Sequence, residues 1–226
     1  AAGSRSHGTG GRDSSSPPQR VRPPANPDSS NMFSYLPYLT NISGLQTLKT
    51  THVTNMSNIL KWSTFNLQDV NALKDWDTTN VENMEGLLYA WNSNNRKLDI
   101  NGLKNWNTSN VKNMSSMFVG TGIENTEPLS SWNTSKVANM GSMFGDGDCG
   151  GTLKNLDGIS NWDVNNVDNM SHMFNGCQHL TDASGINNWN IKSDCNFTNM
   201  FLNCSTHPNF TKITGTWDEN GTFTPN

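Results

Sequence analysis

Six of the eight tryptophans stand at positions 76, 106, 132, 162, 189 and 217, at intervals of 30, 26, 30, 27 and 28 residues. This period constrains the fold more than any other feature of the chain. Eight residues after each indole come Met84, Met114, Met140, Met170 and Phe197; eleven after it come Leu87, Met117, Met143, Met173 and Met200. Leu88, Phe118, Phe144, Phe174 and Phe201 follow directly. An earlier, degenerate unit has Leu48 in the tryptophan place and matches the rest with Val53 to Leu60. Nine of the ten methionines therefore occupy two columns. Units this short cannot bury an apolar face alone, so they must stack, and identical columns become one continuous core. Trp76, Trp106, Trp132, Trp162, Trp189 and Trp217 are expected in that core.

Within one unit, Val111, Met114, Met117 and Phe118 share the spacing of a helical face, with Thr108 or Ser109 placed as N-cap. Upstream of each indole lies a short apolar stretch: residues 97–103, 152–159, 179–186 and 209–213. One strand per unit implies a parallel ladder. The expectation is an α/β repeat solenoid, leucine-rich-repeat-like, with one short parallel strand and one short helix in each 26–30 residue coil. About six coils with terminal caps would span 31–226. Residues 1–30, rich in Gly, Ser, Pro and Arg with Val21 as the only large aliphatic, read as a disordered tail or linker. The asparagines before the first core methionine (Asn55, Asn83, Asn113, Asn139, Asn169 and Asn196) suit turn repair.

The polarity of the chain comes from amides and hydroxyls, since only 15% of residues are charged and mean hydropathy is −0.65. A net charge of −4 offers no general attraction to nucleic acid or anionic lipid, and no apolar run is long enough for a membrane-spanning helix. No Ser-His-Asp order, HExxH or phosphate-binding loop is present, so neither enzymatic activity nor a cofactor is expected. The "GDGDCGG" stretch at 145–151 lacks the spaced carboxylates of a calcium loop, and no C-x-x-C pair suggests zinc.

Cys149, Cys177, Cys195 and Cys204 are disulfide candidates if the chain is secreted. Cys177 and Cys204 each follow the core Phe by three residues and would stack one coil apart. Cys149 with Cys177, leaving Cys195 for Cys204, is an equally open pairing.

The assembled motif W-[DN]-T-[ST]-x-V-x-N-M-x-x-M-F, repeated five times with a sixth weaker copy over residues 45–217, resembles the BspA-type leucine-rich-repeat surface proteins. The resemblance implies an extracellular or cell-surface location and a role in adhesion, with a host or matrix protein or a glycan as partner. The expected contact patch is Tyr89 and Trp91, on the longest irregular insertion. The alternative function is structural: a subunit of a surface filament or layer, self-associating through its ends and the N-terminal segment.

Overall fold

A computed structural model describes residues 24–90, 97–145 and 152–226. They form a stack of six coils, each identified by a single 3-10 turn: Leu45–Thr47, Asn71–Leu73, Asn101–Leu103, Glu127–Leu129, Asp157–Ile159 and Ser184–Ile186. Asp28, Asn55, Asn83, Asn113, Asn139, Asn169 and Asn196 bridge in parallel from each coil to the next, one residue per coil. Asp28 belongs to a partial rung, residues 25–35, whose amides at Ser29, Asn31, Phe33 and Tyr35 donate to the first coil. Residues 25–30, read from composition as the end of the tail, are thus part of the stack.

The expected α/β solenoid does not form. Among the described residues there is no α-helix, and the only strands are β1 (Gly215–Trp217) and β2 (Phe223–Pro225), an antiparallel hairpin at the C-terminal end. The stretches expected as strands, 97–103, 152–159 and 179–186, hold one bridging residue each (Asp99, Asn155, Asp182) and then turn. The cause is local. Asp99, Asn125 and Asp182 each accept, through a side-chain oxygen, the amide two residues on, at 2.8–3.1 Å. Such an Asx turn bends the chain before a strand can extend.

The expected helix fails for a related reason. Met84, Gly86, Leu88 and Ala90 send their amides sideways, to the carbonyls of Asn113, Ser115, Met117 and Val119 in the next coil, at 2.8–3.1 Å. With alternate donors committed between coils, no i to i−4 ladder can close. The chain instead makes consecutive tight turns, and each coil holds a residue in the left-handed region at the same position: Asn58, Gly86, Ser116, Ser142, His172 and Asn199, with φ of 54° to 57°. A left-handed non-glycine residue costs about 1–2 kcal/mol and would break a helix; here the lateral ladder holds it in place. The apolar spacing that mimics a helical face survives, because Met114, Met117 and Phe118 all point inward and are buried.

The core runs the length of the stack. Its Val, Met, Leu and Phe columns are nearly all fully buried, each such side chain contributing about 1.5–3 kcal/mol. Trp76 stacks on Trp106, Trp132 on Trp162, and Phe118 on Phe144 on Phe174, with ring planes within 8° of parallel. Five indoles are also tied across coils. The Nε1–H groups of Trp76, Trp106, Trp132, Trp162 and Trp189 donate at 2.9–3.1 Å to Leu45, Leu73, Leu103, Leu129 and Ile159, each in the preceding coil. Trp217 departs from the column. It is half-buried in the terminal hairpin, packs on Phe201, His207 and Phe223, and donates to Pro208 nine residues back.

On the 3-10 side, coil spacing depends on one residue. Gly102, Gly158 and Gly185, each at the middle of its turn, lie against the backbone of the coil before. A Cβ at Gly158 would stand 2.2 Å from the Thr126 carbonyl carbon, and one at Gly102 would stand 2.3 Å from the Val70 oxygen.

The cysteines occupy a hydroxyl column. Ser63 Oγ donates to the Phe33 carbonyl of the preceding rung at 2.6 Å; Cys177 and Cys204 thiols do the same to Phe144 and Phe174, at 3.6 and 3.0 Å. No disulfide joins Cys177, Cys195 or Cys204, which are reduced thiols, so none of the pairings among them is formed; Cys149 lies outside the described residues. Cys177 and Cys204 do sit side by side, and the hydrogen bond from Cys177 holds the Cys204 thiol below its ordinary pKa despite burial. Burial pushes Cys195 up to about 12, against the pull of Lys192.

Two outcomes follow from this packing. Replacing Gly158 by Ala lowers stability by about 1–3 kcal/mol, seen as a lower urea midpoint with an unchanged slope, because backbone must move to admit the methyl group. At pH 8 without reductant, Cys195 alkylates in the native protein slower by roughly a hundredfold or more than after unfolding, since its thiolate is scarce and enclosed. Peptide mapping by mass spectrometry reads both rates; labelling of Cys177, Cys195 and Cys204 that requires prior reduction contradicts the assignment.

Candidate ligand-binding surface

Most of the polar columns are spent on the fold. Asn55, Asn83, Asn113, Asn139, Asn169 and Asn196 each accept the amide two residues on, at 3.0 Å. Asp77, Asn107, Asn133 and Asp163 repeat that turn after the indole, and Thr78, Thr108 and Thr134 donate to the carbonyls of Asn107, Asn133 and Asp163 in the coil ahead. The Thr79 hydroxyl and then its amide hold the Asp77 carboxyl below the ordinary value. Side chains committed in this way have little left for a ligand.

Of the expected contact pair, Tyr89 is half-buried against the preceding coil. Its ring lies 5.4 Å from that of Trp62, and Lys61 Nζ stands 5.0 Å over it, a cation–π contact that orders the group. Trp91 lies outside the described residues. The Asp146 and Asp148 of the glycine-rich loop lie outside them too.

Two concave sites break the lateral face, and sequence reading missed both. The first, of about 590 Å³, opens between coils one and two among Asn41, Ile42, Gln46, Leu67, Asp69 and Asp75. The second, of about 480 Å³, opens between coils three and four among Leu98, Asp99, Ile100, Ile123, Glu124 and Glu127. Each combines amide and carboxylate side chains with aliphatic walls. In the second, Glu124 is held by Lys97 at 2.9 Å and Lys154 at 3.0 Å. Lys97 first, then Lys154, keeps its carboxyl below the usual range.

A third feature lies at the N-terminal end. Met32, Tyr35, Leu36 and Tyr38 are exposed, Tyr38 to 90%, and they are the large apolar side chains left in solvent among the described residues. The carbonyls of Asp28, Ser30, Met32 and Ser34 accept no backbone hydrogen bond among the described residues, although their counterparts in the next three coils all do. The opposite end is closed: Gly221 and Thr222 of the hairpin receive the amides of Phe201 and Asn199, and Pro225 removes a donor from β2.

No group of three or more His, Cys, Asp or Glu is arranged to hold a metal ion among the described residues, and no described helix is long and apolar enough to cross a membrane.

Comparison with known proteins agrees with the repeat architecture. No curated protein and no solved structure matches the chain. The family model described as "Mycoplasma protein of unknown function, DUF285" matches twice in succession, over residues 27–148 and 147–221, which together take in nearly the whole stack. The chain therefore belongs to the DUF285 family.

Proposed function

We propose that the protein is a non-catalytic binding module of an extracellular or cell-surface protein, adhering to a host or matrix protein or a glycan through its lateral face. The observation that carries this reading is the pair of clefts between coils, on a scaffold whose repeating side chains are otherwise consumed in stacking. A rigid rod with a few open sites suits multipoint attachment, because the sites are held without an ordering cost at the moment of binding. The motif likeness to BspA-type surface proteins supports the same location.

A second reading, end-to-end assembly into a filament or layer, draws on the exposed Met32, Tyr35, Leu36 and Tyr38 and on the row of carbonyls beneath them that accepts no backbone bond among the described residues. Unblunted edges of this kind invite another chain to pair. Two such rows cannot pair with each other, since both offer acceptors, so the assembly would need a donor edge from a different surface.

The labelled full chain, applied to an array of extracellular-matrix proteins and glycans, binds at least one of them saturably if the first reading holds; uniform background overturns it. In light scattering the wild type forms oligomers that the Tyr35→Ser/Tyr38→Ser variant does not if assembly is the function, whereas monomers in both dispose of that reading.

A further inference from the structure

The two clefts have one origin in the sequence. Reading the middle residue of the 3-10 turn from coil two to coil six gives Ala72, Gly102, Pro128, Gly158 and Gly185. Where it is glycine, the coil settles onto its predecessor and backbone bonds form across the junction: Asp99 N–H to Gln68 at 2.9 Å, Lys154 N–H to Glu124 at 3.1 Å, and Thr181 N–H to Lys154 at 3.1 Å. Where it is Ala72 or Pro128, no such bond forms, and those two junctions are the ones that open. A Cβ cannot be admitted at the closed spacing, as the 2.2–2.9 Å approaches at the three glycines establish. The indole bonds of Trp76 and Trp132 still span both open junctions, so each cleft is a local gap in a continuous stack.

The gap leaves backbone groups on both sides without the bond that a closed junction supplies. In the first cleft the Thr40 carbonyl and the Gln68 and Asp69 amides, and in the second the Leu98 carbonyl and the Glu124 and Asn125 amides, make no backbone hydrogen bond among the described residues. A ligand that fills the gap must both donate and accept at short intervals. Hydroxyl groups do this, each donating one proton and accepting through two lone pairs. Asp69 uses one oxygen on the Asn71 amide at 2.9 Å, and its second oxygen is available to a hydroxyl. Ile42 and Leu67, and in the second cleft Ile100 and Ile123, offer an apolar wall to the C–H face of a ring. Carboxylates outnumber ammonium groups in both: Asp69 and Asp75 against Lys74, and Asp99, Glu124 and Glu127 against Lys97. An anionic ligand is therefore disfavoured.

We infer that each cleft binds one or two units of a neutral saccharide, whose hydroxyls take the place of the coil-to-coil hydrogen bonds that Ala72 and Pro128 prevent. This rests on the binding-module reading and names its ligand class. Both clefts lie on the same face, two coils apart, so one linear glycan can enter both.

The test titrates the full chain with neutral trisaccharides of the malto-, manno-, galacto- and N-acetylchito- series, and with a sialylated trisaccharide as the charged counterpart, following amide shifts by NMR. The expected result is saturable binding of at least one neutral probe, with shifts confined to residues 40–46 and 67–75 or to 97–101 and 123–128. Affinity falls at least tenfold in Asp69→Asn, which keeps the turn-forming oxygen, for a probe that shifts the first cleft. It is lost in Ala72→Gly/Pro128→Gly, where newly protected amides at the two junctions report closure. No saturable binding of any neutral probe, preference for the sialylated one, or unchanged affinity in the closed variant overturns the assignment. Wild-type capture of a matrix protein with no saccharide binding removes this inference and leaves the binding-module reading intact; failure on the whole array removes both.

Discussion

The lateral hydrogen bond from one coil's alternate amides to the next coil's carbonyls is the interaction from which the rest of this structure follows. It sets the rise between coils and forbids the α-helix that the apolar spacing would otherwise favour. It also requires a left-handed residue in every coil and fixes the register in which methionine, phenylalanine and tryptophan meet their own kind. Because each coil is satisfied only by its neighbour, stability accrues junction by junction, as in other one-dimensional repeats. The indole Nε1 bonds add a second tie on the opposite flank, so that a coil is pinned at two places around its circumference.

The core was legible in the sequence because stacking copies the pattern directly. The indole, Val, Met and Phe columns read from the period are the buried columns, and the asparagine column makes the turns its chemistry suggests. What was not legible is the backbone path. Val111, Met114, Met117 and Phe118 satisfy a helical period equally well when consecutive tight turns bring them inward, and periodicity records direction without recording hydrogen-bond partners. Ser116 and Ser142 give no hint of positive φ, although Gly86, Asn58 and Asn199 in their column are residues that favour it. Trp217 shares the spacing of the other indoles yet belongs to the closing hairpin, where it packs on Phe201 and Phe223.

The surface was less legible still. Tyr89, an aromatic outside the core columns, packs on Trp62 of the preceding coil, a contact between columns that the period does not record. The clefts leave a trace in the sequence, the alternation of Ala72, Gly102, Pro128 and Gly158 at one position, that acquires meaning only when the glycines are seen touching backbone. A glycine column interrupted by larger residues is thus a signal in a stacked repeat, since the interruption, and not the glycine, marks where coils part. The cysteines teach the converse. Cys177 and Cys204 neighbour each other in successive coils, yet they stand in for Ser63 as donors to the carbonyl of the coil below.

The hairpin that seals the C-terminal end gives the molecule a direction. The lateral ladder of alternate amides recurs between successive described coils even where the 3-10 side parts, so a duplicated stretch of gene encoding one coil can be spliced in upstream and still find the same ladder on either side. The terminator, with its proline and its borrowed carbonyl at Gly221, offers no such ladder to a further coil. Lengths within such a lineage are accordingly free to drift by whole coils, while the closing segment changes only as a unit.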